Sequence, residues 1–151
     1  MPDPARHESE AVERLLDSTL SSVDHAEEIA SGLAQSAGFD EDDLMKIGIA
    51  VREAVVNAVV HGNRYNEKKK VRFSVLKNSE RFTIRVADEG EGFDFNHLPD
   101  PLAPENLMRT SGRGIFLIRS FMDELQIRRS ESGGTELVLI KYKAKQEDRF
   151  S

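Results

Sequence analysis

The chain has 151 residues, 27 acidic against 21 basic side chains, and a formal net charge of -6. That length suits one globular domain able to bury most of its unfolded surface in a single core, and an apolar share of 38% excludes disorder of the whole chain. The absence of cysteine excludes a disulfide scaffold, a thiol nucleophile and zinc-knuckle or iron–sulfur ligation, and the acidic balance argues against a nucleic-acid-binding protein, which would carry a basic stripe.

The opening Met1-Pro2-Asp3-Pro4-Ala5-Arg6-His7-Glu8 has no apolar stretch, so a secretory signal is not expected. No apolar run approaches the ~18 residues of a membrane span. The expectation is a cytoplasmic protein that contacts neither membrane nor nucleic acid directly. Residues 1–10 are polar and proline-punctuated, an expected flexible N-terminus, and 146–151 read as a flexible C-terminus. Between them, 11–145 read as a single domain without repeats or a linker.

Glu13–Val23 is ambiguous, its short apolar run with Thr and Ser compatible with a first strand. Asp24, with Glu27 three residues on, reads as an N-cap and capping box. Ala26, Ile29, Ala30, Leu33 and Ala37 follow at helical spacing, and Gly38 supplies a stop. Asp40 caps a second helix with acidic residues in its first turn, where the dipole favours them. Its main apolar stripe runs from Leu44 to Val59, and Ile49, Val56 and Val60 make a second apolar side, so it is expected to be buried against more than one layer. Glu53, Asn57 and His61 fall at i, i+4 and i+8, in one polar row. Val71–Val75 and Arg81–Val86 alternate around Asn78-Ser79, a hairpin. Asp88-Glu89-Gly90-Glu91-Gly92 ends it, and a proline-containing stretch through Pro99, Pro101 and Pro104 reads as an irregular loop to Ser111. Gly112-Arg113-Gly114 opens a third helix, and two strands near Gln126–Ser130 and Thr135–Lys143 close the chain around a turn at Ser132-Gly133-Gly134. That order predicts an α+β two-layer sandwich, with three helices on one face of a mostly antiparallel sheet.

Three motifs carry chemistry. In Glu53-Ala54-Val55-Val56-Asn57-Ala58-Val59-Val60-His61-Gly62-Asn63, polar side chains on a buried helix cost free energy unless something satisfies them. Asn57 is able to offer a neutral oxygen to Mg²⁺, which takes hard oxygen ligands and keeps several waters, and Glu53 one turn earlier is placed to accept a proton from an attacking hydroxyl. The alternative is a solvated stripe with a histidine at the helix end. In Asp88-Glu89-Gly90-Glu91-Gly92-Phe93-Asp94, the glycines let backbone approach a flat ring, and Asp88 is a fit acceptor for an exocyclic amine such as that of adenine. A plain glycine turn after a strand reads equally from those residues. Ser111-Gly112-Arg113-Gly114 at a helix start makes an anion site of outward N–H groups, with Arg113 able to add a phosphate contact. It matches neither the P-loop nor the dinucleotide fingerprint.

Together, the order and spacing of these motifs resemble the Bergerat ATP-binding fold of DNA gyrase, heat-shock chaperones, sensor histidine kinases and MutL. The run Val51-Arg52-Glu53-Ala54-Val55-Val56-Asn57-Ala58-Val59-Val60-His61-Gly62 with a compact lid is similar to the anti-sigma factor serine/threonine kinases, over residues 12 to 143. The resemblance implies an ATP-dependent kinase that transfers the γ-phosphoryl group to a Ser or Thr of a STAS-domain anti-anti-sigma factor, sequesters a sigma factor, and often forms a homodimer. It implies Glu53 as general base, Asn57 as the Mg²⁺ ligand, Asp88 as reader of the adenine amine, and Gly90 and Gly92 as walls of the base pocket. Gly112, Arg113 and Gly114 would belong to the phosphate lid, and Thr135 would contact the adenine region or serve as an ordinary strand threonine. His61 and Asn63 would border the pocket, and Asp94 would fix the turn after the glycines. The alternative is an ATP-binding anti-sigma or switch module that holds its partner without efficient kinase activity; the presence of both Glu53 and Asn57 favours the enzyme.

Overall fold

The computed structural model of the chain describes residues 10–91, 110–131 and 133–143. Strand β1 (Glu10–Asp17) leads into helices α1 (Ser21–Ser36) and α2 (Glu41–Val56), and α2 runs on as a π-helical turn, Asn57–Gly62. The hairpin β2 (Lys70–Lys77) and β3 (Arg81–Ala87) follows, then α3 (Thr110–Phe121) and the hairpin β4 (Glu124–Arg129) and β5 (Thr135–Tyr142). The strands make one five-stranded sheet in the order β1-β2-β3-β5-β4, every neighbouring pair antiparallel.

Alternation explains which face is covered. Phe73 lies opposite Val86, and Val75 opposite Ile84; Ile84 lies in turn opposite Leu139, and Val86 opposite Leu137. This apolar grid is fully buried, and a slip of one residue would turn it to solvent. Helix α1 meets it with Val23, Ala26, Ala30 and Ala34, α2 with Ile47, Ala50, Val51, Ala54 and Val55, and α3 with Ile118. Small side chains on α1 and α2 let the helices approach closely. Phe39, just after α1, packs edge-on against Phe82 with ring centroids 5.7 Å apart. Each large apolar side chain so buried contributes about 1.5–3 kcal/mol. The result is the expected two-layer α+β sandwich.

Four local expectations are corrected. The first strand is Glu10–Asp17, with Leu16 opposite Val71, whereas Val23 is already inside α1. Asp24 and Glu27 do not cap that helix, which starts at Ser21; their carboxylates take the Arg52 guanidinium at 2.6 and 3.3 Å, an ion-paired tie between α1 and α2. Asp40, by contrast, caps α2 as expected, its Oδ1 accepting the Asp43 N–H at 2.8 Å. The polar row ends at Asn57. Beyond it the Asn63 N–H reaches back five residues to the Ala58 carbonyl, 2.7 Å, and this wider winding leaves His61 exposed. Finally, α3 starts at Thr110, so Gly112 and Gly114 lie within its first turns rather than ahead of it.

Candidate functional site

The carboxyl end of β3 meets the π turn and the start of β5 at one point. Asp88, 3% exposed, donates its backbone N–H to the Thr135 carbonyl at 2.9 Å, and its Oδ1 accepts the N–H groups of Gly90 at 2.9 Å and Thr135 at 3.1 Å. Burial pushes this carboxyl above its ordinary value of 3.8, opposed by those two backbone N–H groups and by the Lys69 charge. The carboxylate is therefore held in a fixed orientation by two backbone N–H groups.

Three glycines allow that convergence. A Cβ on Gly62 would lie 2.2 Å from Asp88 Oδ2, one on Gly90 2.2 Å from the Gly62 carbonyl oxygen, and one on Gly134 2.2 Å from the Asp88 carbonyl oxygen. No side chain fits at any of the three. Gly90 belongs to the predicted base pocket. Gly62 and Gly134 read from sequence only as a motif tail and a turn residue, because nothing in a linear pattern shows that each faces the same distant aspartate.

Beside this knot opens a cavity of about 410 Å³ walled by Asn57, Gly62, Asp88 and Thr135, with His61, Arg64, Asn66, Lys69 and Glu91 at its edges and Asn63 on its wall. Asn57, the first residue of the π turn, is buried, and among the described residues its Oδ1 has no hydrogen-bond partner. An orphaned acceptor costs about 1–3 kcal/mol, so the site is incomplete without a donor or a cation. One amide oxygen is a suitable ligand for Mg²⁺ that keeps its waters and takes its remaining oxygens from phosphates.

Glu53 sits one turn earlier on α2, half-buried, and faces α3 across a close approach: a Cβ on Gly114 would stand 3.0 Å from Glu53 Oε2. Arg113 is exposed on the same turn. Glu53 and Gly114 thus form a second cluster that does not wall the cavity itself. Gly112 lies in the helix backbone beside them. Gly92 and Asp94 fall outside the described residues, as do most of the proline-containing loop and both expected flexible ends except Glu10, which opens β1.

Residues 16–141 match the histidine kinase-like ATPase domain family. The chain is 34% identical over 122 residues to the serine-protein kinase RsbW of Bacillus velezensis, covering 74% of this chain and 72% of that protein. It is 37% identical over 126 residues to the serine-protein kinase RsbW of Staphylococcus epidermidis, covering 79% and 78%. A crystal structure of the RsbU and RsbW domains of Rv1364c from Mycobacterium tuberculosis superposes with a TM-score of 0.61 at 20% identity, over 87% of this chain and 31% of that longer one, a likeness of fold. The kinase names of these relatives favour the enzyme over a non-catalytic binding module. The chain belongs to the histidine kinase-like ATPase family and, within it, to the RsbW-type anti-sigma factor serine/threonine protein kinases.

Proposed function

We propose that the chain binds Mg²⁺-ATP in the cleft between the π turn, Asp88 and Thr135 and transfers its γ-phosphoryl group to a serine or threonine of a STAS-domain anti-anti-sigma factor. The observation that supports this most directly is the buried Asn57 Oδ1, unpartnered among the described residues, on the wall of the cavity that also holds the backbone-oriented Asp88.

In this reading Asp88 accepts a hydrogen bond from the exocyclic amine of adenine, the backbone at Gly90 walls the ring, and Thr135 borders it. Asn57 Oδ1 ligates the cation. The bound Mg²⁺ would neutralise charge on the phosphate oxygens and orient them for in-line attack. The start of α3 presents the free N–H groups of its opening residues, with Gly112, and the Arg113 guanidinium to the phosphates, and Gly114 keeps this turn close to α2. Glu53 takes the proton of the acceptor hydroxyl as its oxygen bonds to the γ-phosphorus and the bond to the β–γ bridging oxygen breaks, releasing ADP. The glycine at 114 lets that carboxylate lie close against α3 and so near the lid.

The proposed partners, supported by the family resemblance, are a sigma factor held by this protein and its antagonist, whose phosphorylation keeps the sigma factor sequestered. A homodimer acting in the cytoplasm, without direct nucleic-acid or membrane contact, completes the proposal; no described helix is long and apolar enough to cross a membrane. The test is incubation with γ-labelled ATP, Mg²⁺ and the STAS proteins encoded near the gene. Labelled phosphoserine or phosphothreonine on one of them is the expected result, and ATP binding without transfer to any of them would refute the kinase assignment.

A further inference from the structure

Directly after the π turn, Arg64 and Tyr65 both take left-handed conformations, with φ of 51° and 60°, which side chains other than glycine seldom adopt. Such a backbone persists only where its surroundings hold it. The Tyr65 N–H bonds back to the Val59 carbonyl at 2.9 Å, and one buried side chain anchors the residue before this pair. Asn63, 2% exposed, donates from Nδ2 to Ser18 Oγ and to the Lys70 carbonyl, both at 3.0 Å, and accepts the Glu89 N–H at Oδ1, 2.8 Å. Ser18, equally buried, donates onward to the Lys69 carbonyl at 2.6 Å. The main chain of Asn63 closes the π turn onto the Ala58 carbonyl at 2.7 Å and receives the Asn66 N–H at 3.0 Å.

The end of β1, the start of β2, the end of β3 and the π turn are therefore tied at one amide. Both of its N–H groups are taken by protein, so although Asn63 borders the cavity it has no donor left for a ligand. What it controls is Glu89, the residue between Asp88 and Gly90. Gly90 already rests on the Gly62 carbonyl with no space to spare, and its N–H orients the Asp88 carboxylate. A shift at Glu89 is transmitted to both neighbours.

We propose that Asn63 is a positioning residue for base recognition: its amide locks the backbone of Glu89 to the π turn and so sets where the Asp88 carboxylate stands in the cleft. This rests on the reading of Asp88 as acceptor of the adenine amine, and the experiment separates the two. Dissociation constants for Mg²⁺-ATP and Mg²⁺-GTP are measured by calorimetry on the full chain for the wild type, Asn63→Ala, Ser18→Ala, their double variant and Asp88→Asn, with thermal midpoints alongside. Asn63→Ala is expected to weaken ATP about tenfold or more and GTP by no more than about twofold, bringing the ratio to that of Asp88→Asn. Ser18 does not line the cavity, yet Ser18→Ala is expected to shift the ratio in the same direction, and the double variant to go no further than Asn63→Ala. A fall in thermal midpoint with the wild-type ATP-to-GTP ratio intact would reduce Asn63 to a structural tie and overturn the proposal. If Asn63→Ala does not fold, Ser18→Ala decides alone by the same criterion. A wild type that binds ATP and GTP alike, or an Asp88→Asn variant that keeps the preference, overturns the base-site reading itself and the role of Asn63 with it.

Discussion

Replacing Asn57 by leucine should make the ligand-free protein more stable while removing its function. Asn57 is 7% exposed and its Oδ1 has no partner among the described residues. Leucine has the same number of side-chain heavy atoms and no polar group to satisfy. Removing an unpaired buried acceptor returns about 1–3 kcal/mol, and the tetrahedral leucine branch, bulkier than a planar amide, takes back part of this against Ala54, Ala58 and their neighbours. For a domain of this size each kcal/mol moves the thermal midpoint by roughly 2–4 °C. The assay is thermal unfolding with and without Mg²⁺-ATP. The wild type should gain about 2.7 kcal/mol at a nucleotide concentration a hundredfold above Kd, and Asn57→Leu should show a higher midpoint without nucleotide and no response to it. A variant that is less stable than the wild type, or that Mg²⁺-ATP still stabilises to the same extent, would refute the view of Asn57 as a ligand held unsatisfied for a cation.

Four further outcomes are expected. Glu53→Ala should retain nucleotide affinity but slow single-turnover phosphotransfer by about 10²–10⁴; a wild-type rate would exclude it as the base. Because burial raises the Asp88 carboxyl above 3.8, ATP affinity should fall on acidification before the pH reaches that ordinary value, a fall that Asp88→Asn should lack, as calorimetry across pH would show. The linked effect on the ligand-free fold has the opposite sign: between the ordinary and the raised pKa the native state binds the extra proton, so this group's contribution to stability rises as pH falls through that window. Gly90→Ala would place a Cβ 2.2 Å from the Gly62 carbonyl oxygen, backbone against backbone, and should cost about 1–3 kcal/mol or more with loss of nucleotide binding. Gly32→Ala, at an exposed position within α1 where a Cβ meets nothing within 4 Å, should instead stabilise by about 0.5–1 kcal/mol in denaturant titrations.

Periodicity carried most of the architecture. Period-2 alternation in Val71–Val75 and Arg81–Val86 and helical spacing from Leu44 to Val59 depend only on nearest neighbours along the chain, so the hairpin, α2, its Asp40 cap and the two-layer plan were readable without coordinates. Asn57 was readable as a polar group on a buried helix face and Asp88 as a carboxylate in a glycine turn after a strand, whereas Thr135 came only with the family resemblance. Folding alone decided how they meet. A reading at 3.6 residues per turn continues the polar row to His61, but the π turn spends an extra residue and brings Gly62 to Asp88 instead. Asp24 and Glu27 look like a cap until Arg52, remote in sequence, claims both carboxylates. The tie at Asn63 joins residues 18, 70 and 89, and the space against Gly134 is filled by Asp88. These are contacts across strands whose order, β1-β2-β3-β5-β4, is set by how three helices and a sheet close over one core, and no local pattern encodes a distance between segments that only packing brings together.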